Sequence, residues 1–313
     1  MARHDPDAAD LAEMRTVRDL IRHASSRFHA ARLSFGHGTD NAHDEAAALV
    51  LWALHLPPAT LEPYLDARVS IAERESIGAL IAERISSRRP LAYLTGEAWL
   101  GGLPFLCDSR ALVPRSPIVE AMDNALADWL QTMPPADQNW PATIVDLCTG
   151  GGSLAIHAAL RFAQARVYAL DIDADALALC RSNVRWHGLA DRIEMHRGDL
   201  LDALPAGTSI DLLLCNPPYV PESSMRELPA EYRAEPGHAL AGGPDGMDLI
   251  RRLLPQAAKR LSPDGLVVLE VGHEADALET AFPTLDIAWL ETSRADRMLA
   301  LLSADALAAA DLV

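Results

Sequence analysis

Two regimes of apolar and polar patterning follow one another along this chain. Leu11, Met14, Val17, Leu20 and Ile21 recur at helical spacing behind an Asp10-x-x-Glu13 start, which predicts a helix opening at a capping box. Helices are also predicted over 43–55, stopping before Pro57-Pro58, and over 70–88. The second opens with Ser70-x-x-Glu73 and sets Ile77, Leu80, Ile81 and Ile85 on one stripe. Residues 1–90 therefore read as a small helical domain behind a frayed tail over 1–8. Residues 91–118 break into short aromatic and β-branched pieces between Gly96, Gly101, Gly102, Pro104, Pro114 and Pro117, which predicts a hairpin-like connector.

A helix near 118–130 and a proline-rich surface loop over 134–141 lead into the second regime. Strands are predicted at 143–148, 166–171, 192–196, 210–215, 265–271, 286–291 and 297–302, and helices near 153–163, 174–187, 247–260 and 273–281. Such alternation implies βαβ units and a parallel sheet covered on both faces. The expected fold class is α/β, with a seven-stranded doubly wound, Rossmann-like sheet over 119–313, the connector over 91–118 and the helical domain over 1–90.

Composition narrows the field. A chain of 313 residues suggests two domains. Lys plus Arg number 27 against 44 Asp plus Glu, for a formal charge of -17, which excludes a uniformly basic nucleic-acid-coating protein. Residues 1–95 carry 11 basic and 13 acidic side chains, leaving 16 and 31, or -15, for the remainder. Cys107, Cys148, Cys180 and Cys215 are too far apart for a disulfide framework or a zinc site, and a reduced, cytoplasmic setting fits them. The start MARHDPDAAD carries acids where a signal peptide needs a basic patch, and no apolar run approaches the roughly 18 residues of a membrane span. The eleven histidines show no metal spacing, and His37 and His43, flanking a glycine-containing loop, read as exposed.

Candidate chemistry gathers at two turns. Ile144-Val145-Asp146-Leu147-Cys148-Thr149-Gly150-Gly151-Gly152-Ser153 reads as a buried strand ending in a glycine turn that opens a helix. Glycines let a ligand approach the backbone, and the helix N-terminus presents unpaired N–H groups to an anion. Asp171 ends the next strand 21 residues past Gly150, where a carboxylate can hold a ribose diol. Asp173 reads as a helix N-cap. Because Gly150-x-Gly152-x-x-Ala155 also fits a dinucleotide fingerprint, three readings stay open: an NAD-like dinucleotide, S-adenosylmethionine, or a structural turn with no ligand.

The second turn is Asn216-Pro217-Pro218-Tyr219, at the end of the strand over 210–215. Two prolines fix φ and remove two backbone donors, leaving carbonyls as the main-chain polar groups. Asn216 adds a side-chain carbonyl and Tyr219 a flat ring. Acceptors beside an aromatic wall suit a planar group bearing an NH2, whose two hydrogens need two acceptors.

The run from Asp146 to Gly152 followed by Asn216-Pro217-Pro218-Tyr219 resembles the class I S-adenosylmethionine-dependent methyltransferases that modify planar exocyclic or amide nitrogens. Further matches are Tyr93-Leu94-Thr95-Gly96, Leu112-Val113-Pro114-Arg115-Ser116-Pro117-Ile118, Leu228-Pro229-x-Glu231-Tyr232-Arg233-x-Glu235-Pro236 and Ala241-Gly242-Gly243-x-Asp245-Gly246. Together these are similar to the bacterial protein-glutamine methyltransferase family, in the branch acting on the third large-subunit ribosomal protein, from about residue 10 to 303. The branch acting on peptide-chain release factors typically has Arg-Pro-Asp-Thr-Glu where this chain has Arg115-Ser116-Pro117-Ile118-Val119-Glu120, and Gly in place of Cys148. Gly151-Gly152-Ser153 departs from the Ser-Gly-Cys more common in the ribosomal-protein branch.

The resemblance implies S-adenosylmethionine as cofactor. Asp146, Thr149, Gly150, Gly152, Asp171, Asp199 and Asn216 would then bind it, with Asp171 on the ribose, Asp199 near the adenine, and Asp146 acting through the glycine loop or on the cofactor ammonium. Asn216, Pro217 and Tyr219 would hold the substrate amide. A large-subunit ribosomal protein is the implied substrate, recognised with help from the N-terminal helical domain, and neither a membrane nor direct nucleic-acid binding is expected.

Two rivals are weaker. A nicotinamide-dependent oxidoreductase lacks a Tyr-x-x-x-Lys pair, since the sole lysine is Lys259 on a predicted helix. A nucleic-acid amine methyltransferase is opposed by the -15 on the C-terminal part, and Arg88-Arg89 and Arg251-Arg252 are too short for a basic stripe.

Overall fold

Thr16 caps the first long helix of the described residues. In the computed structural model, which describes residues 11–58, 60–126, 140–293 and 296–312, residues 15–17 are drawn into extended pairing with 67–69. The Val17 N–H donates to the Ala67 carbonyl and the Val69 N–H to that of Arg15. This pairing interrupts the helical periodicity that runs through Leu11 and Met14. Helix α1 (Val17–Ala30) starts immediately afterwards at a capping box, in which Thr16 Oγ1 accepts from Asp19 N and Asp19 Oδ2 accepts from Thr16 N. Asp10, the expected tail and residues 127–139 lie outside the described residues.

The chain divides into two compact units, Met1–Glu97 with Pro229–Ala234, and Ala98–Leu228 with Glu235–Val313. In the first, α2 (Ala42–Ala53) is capped by Asn41 and α3 (Ile71–Ser87) by the expected Ser70–Glu73 box. Leu20, Phe28, Leu49, Ile77 and Ile81 pack between them. Arg84 of α3 is fully buried, and its Nε lies 2.8 Å from Glu45 Oε1. Glu231, also fully buried, sits 3.7 Å from Arg84 and 2.9 Å from Arg88. Desolvation pushes the Glu45 carboxyl up, and Arg84 pulls it back down. His37 is buried rather than exposed, because the Tyr232 ring packs against it with centroids 4.3 Å apart.

The connector does contain a hairpin, β1 (Glu97–Leu100) with β2 (Leu103–Leu106). Gly101 and Gly102 both take positive φ, at 52° and 76°, as a two-residue turn matched to strand twist requires.

The second unit is built on seven strands: β3 (Thr143–Leu147), β4 (Arg166–Asp171), β5 (Ile193–Arg197), β6 (Ile210–Cys215), β7 (Leu261–Glu270), β8 (Ala288–Leu290) and β9 (Leu299–Ser303). Their order is β5-β4-β3-β6-β7-β9-β8. The sheet is doubly wound but not wholly parallel: β3 to β7 run parallel, and β9 runs antiparallel to both β7 and β8. The link from Leu290 to Leu299 is too short for a crossover, which needs about a dozen residues, so the chain turns back. Successive strand residues face opposite layers. Ile144, Leu212 and Val268 join one core beneath α4 (Ser153–Arg161) and α5 (Ala174–Trp186). Val145, Leu213 and Val267 join the other, beneath α6 (Asp248–Arg260) and α7 (Ala275–Ala281). Residues in alternating layers explain why these strands read as continuous apolar runs. Among the described residues no helix is long and apolar enough to cross a membrane.

Replacing Arg84 by Ala would leave Glu45 and Glu231 buried without their shared cation. The expected loss is about 3–5 kcal/mol in equilibrium urea unfolding; a loss below about 1 kcal/mol would show that the network contributes little.

Candidate active site

Strands β3 and β6 are neighbours, with Leu147 opposite Cys215, so the two turns that the sequence singled out leave the same edge of the sheet. In an open α/β sheet this is where ligands bind. The glycine turn winds tightly: Cys148, Gly150 and Gly152 all take positive φ, at 59°, 54° and 84°. Cys148 thus occupies a conformation that favours glycine. A Cβ on Gly150 would meet only Ala111 Cβ, at 3.6 Å, whereas one on Gly152 would come within 2.6 Å of Cys180 Sγ. Gly152 therefore serves the close approach of α5 to the loop. Burial pushes the Cys180 thiol up to about 12, which makes it packing material and no nucleophile.

Asp146 holds the turn from below. Fully buried, it accepts from Thr149 Oγ1 at 2.5 Å and from Ala155 N at 2.9 Å, both through Oδ2. It thereby fastens the loop and the first turn of α4 to the end of β3. Burial pushes its carboxyl up to about 7, against the pull of these two donors.

Asp171, at the end of β4, accepts from Gly150 N through Oδ2 at 2.8 Å and from Asp173 N through Oδ1 at 2.9 Å. Burial raises its pKa and the backbone donors lower it, with burial prevailing. Asp173 caps α5, as expected, by accepting from Asp175 N. Asp199 is different. It is half-exposed and ion-paired with Arg252, and it is absent from the lining of the cavity described next.

A cavity of about 190 Å³ opens beside the glycine turn. Its walls are residues 148–151, Asp171, Ile172, Asn216, Pro218 and the segment 110–116. A smaller one, about 40 Å³, is lined by Asn216, Pro217, Tyr219, Arg115 and Glu270, among others. Asn216 borders both. The turn itself is clamped from behind: Cβ atoms on Gly242 or Gly246 would come within 2.8 and 2.3 Å of the Tyr219 carbonyl carbon and oxygen. The Ala241-to-Gly246 motif is thus a seat for the Asn-Pro-Pro-Tyr backbone.

Two carboxylates escaped the sequence reading as site residues. Glu235, buried, accepts from Val113 N at 3.0 Å and from both Nη atoms of Arg115 at 2.5 and 2.8 Å, which ties the segment 112–116 over the cavity. Glu270, the last residue of β7, accepts from Ser116 Oγ and the Tyr219 hydroxyl. The only advance signal for Glu270 was its place at the carboxyl end of a strand beside β6. Among the described residues no cluster of His, Cys, Asp or Glu could hold a metal ion.

Comparison with known proteins agrees with this geometry. The Methyltransferase small domain model matches residues 120–230 and the PrmC N-terminal domain model matches residues 19–96. A ribosomal protein uL3 glutamine methyltransferase of Bordetella pertussis is 52% identical over 295 residues, covering 94% of this chain and 97% of that protein. The chain belongs to the ribosomal protein uL3 glutamine methyltransferase family. Members from Burkholderia pseudomallei and from Neisseria meningitidis serogroup B are 48% and 44% identical, each over 94% of this chain and 96% and 95% of their own lengths. Membership in this methyltransferase family bears out the resemblance carried by the two turns and sets the nicotinamide-dependent oxidoreductase aside.

The raised pKa of Asp146 has a measurable sign. Stability from its protonated form is complete below the usual carboxylate value of 3.8 and is lost as pH rises through about 7. Asn at 146 stays neutral, so Asp146→Asn should gain thermal stability relative to the parent between pH 4 and 7, with the difference level above that. Parallel melting-temperature profiles lacking this slope would contradict the assignment.

Proposed function

We propose that the protein transfers a methyl group from S-adenosylmethionine to the side-chain amide nitrogen of a glutamine in ribosomal protein uL3. The observation that carries this reading is Asn216, a wall shared by the cavity of the glycine turn and the small slot of Pro217 and Tyr219. The residues fit the cofactor: an open-faced Gly150, a carboxylate at Asp171 and a cavity between them. S-adenosylmethionine supplies an electrophilic sulfonium methyl group. Asp171 would hold the ribose hydroxyls with the lone pairs left over from its two backbone donors, and Gly150 would let the cofactor lie against the loop. Asp146, Thr149 and Gly152 act through the loop's shape. Asp199, engaged by Arg252, is left out of this set.

An amide nitrogen is a poor nucleophile because its lone pair is delocalised into the carbonyl. The protein's task is therefore alignment and the stabilisation of positive charge that develops on nitrogen. The Asn216 side-chain carbonyl and the Pro217 backbone carbonyl would take the two amide hydrogens, and Tyr219 would wall the amide plane. The two carbonyls would stabilise the charge that the nitrogen takes on as it accepts the methyl group supplied by the cofactor. One amide proton then leaves to water. No side chain need remove a proton beforehand. The -15 on the C-terminal part suits a basic ribosomal protein through electrostatic steering.

Incubation with methyl-labelled S-adenosylmethionine and separately purified uL3, release factor and DNA, followed by mass spectrometry, should place the label on a uL3 glutamine. Label on release factor or DNA instead would replace this reading. Asn216→Ala should lower kcat by roughly 10²–10³-fold with cofactor Kd changed less than about threefold; equal losses in both would count against its substrate role. Asp171→Ala should weaken cofactor binding by about 10-fold or more in titration calorimetry, and unchanged binding would remove it from the cofactor site.

A further inference from the structure

Glu270 stands where the acceptor slot needs a fixed point. It is 4% exposed, ends β7 next to the strand that delivers the Asn-Pro-Pro-Tyr turn, and lines the slot with Asn216, Pro217 and Tyr219. Its Oε1 accepts from the Tyr219 hydroxyl at 3.2 Å and its Oε2 from Ser116 Oγ at 2.5 Å. Two residues on, Gly272 takes φ +55°, and a Cβ there would come within 2.6 Å of the Tyr219 ring. The ring is thus backed by Gly272 and held at its tip by Glu270.

The chemistry of the slot makes that restraint matter. Its useful groups are acceptors, the carbonyls of Asn216 and Pro217, while a phenol is a donor. Those carbonyls serve the amide only if the ring that walls the amide plane keeps its place beside them. The Tyr219 hydroxyl donates to Glu270, so the ring is fixed at its tip as well as along its edge. The same carboxylate fastens Ser116, and with it the end of the segment that Glu235 ties at Val113 and Arg115.

We infer that Glu270 is a positioning residue for methyl transfer, acting through Tyr219 to hold the ring in place beside the amide slot. This rests on the proposed glutamine methylation. The test is a double-mutant cycle on uL3 methylation. Glu270→Gln and Tyr219→Phe should each lower kcat about tenfold with the Kd for S-adenosylmethionine within twofold, and the double variant should be no slower than the slower single one. Losses that multiply in the double variant, an unchanged kcat in either single variant, or a Kd that rises in step with the fall in kcat would overturn the inference. If circular dichroism shows Glu270→Gln to be unfolded, Tyr219→Phe decides alone: an unchanged kcat overturns it, and a tenfold loss with unchanged Kd sustains it. A parent enzyme that leaves uL3 unlabelled sinks the proposed function and this inference with it, whereas an active parent with unaffected variants sinks only the inference.

Discussion

Buried and half-buried carboxylates hold the loops that border the cavity. Asp146 ties the glycine turn to α4, Asp171 ties Gly150 to β4, Glu235 ties Val113 and Arg115, and Glu270 ties Ser116 and Tyr219. Loops lack the ladder of hydrogen bonds that fixes a strand or helix, so each orphaned N–H or hydroxyl needs a partner from elsewhere. A carboxylate offers about four acceptor positions on one short side chain and can satisfy several donors at once. Its desolvation is costly, and the donors that converge on it offset that cost. The upward shifts at Asp146 and Asp171 are the visible residue of this balance.

Part of the acidic excess is therefore internal framework. Glu45 and Glu231 show the same use in the other unit, where Arg84 and Arg88 answer them. The short basic pairs belong to this accounting as well. Arg88, Arg251 and Arg252 are engaged by Glu231, Asp245 and Asp199. The central strands divide the labour differently: β3, β4, β6 and β7 bury apolar residues on both faces and bring Asp146, Asp171, Asn216 and Glu270 to their carboxyl ends. Rigid strands thereby aim loops that could not aim themselves.

Much of the fold was legible because its signals are local. Apolar runs of five or six residues, glycine at the end of β3 and proline after β6 report on their immediate neighbours, and strand after strand appeared within a few residues of its expected limits. The misreadings share one cause. The helical run expected to continue from Leu11 through Ile21 is broken at residues 14–16 by pairing with 67–69, the histidine at 37 expected to be exposed is covered by Tyr232, and β9 runs antiparallel because its connection is short. In each case a segment remote in sequence, or the geometry of closure, outweighed a correct local pattern.

By itself the sequence determined which elements form, that the two turns close one crevice, and which functional groups they offer, since periodicity, turn chemistry and βαβ order are properties of neighbouring residues. The tertiary structure alone decided which carboxylate meets which loop. Val113 and Glu235 lie 122 positions apart, and Ser116 and Glu270 lie 154 apart. No local pattern encodes such a pairing. It exists because the parallel sheet brings the ends of distant strands to one edge, where buried donors must find acceptors whatever their separation along the chain.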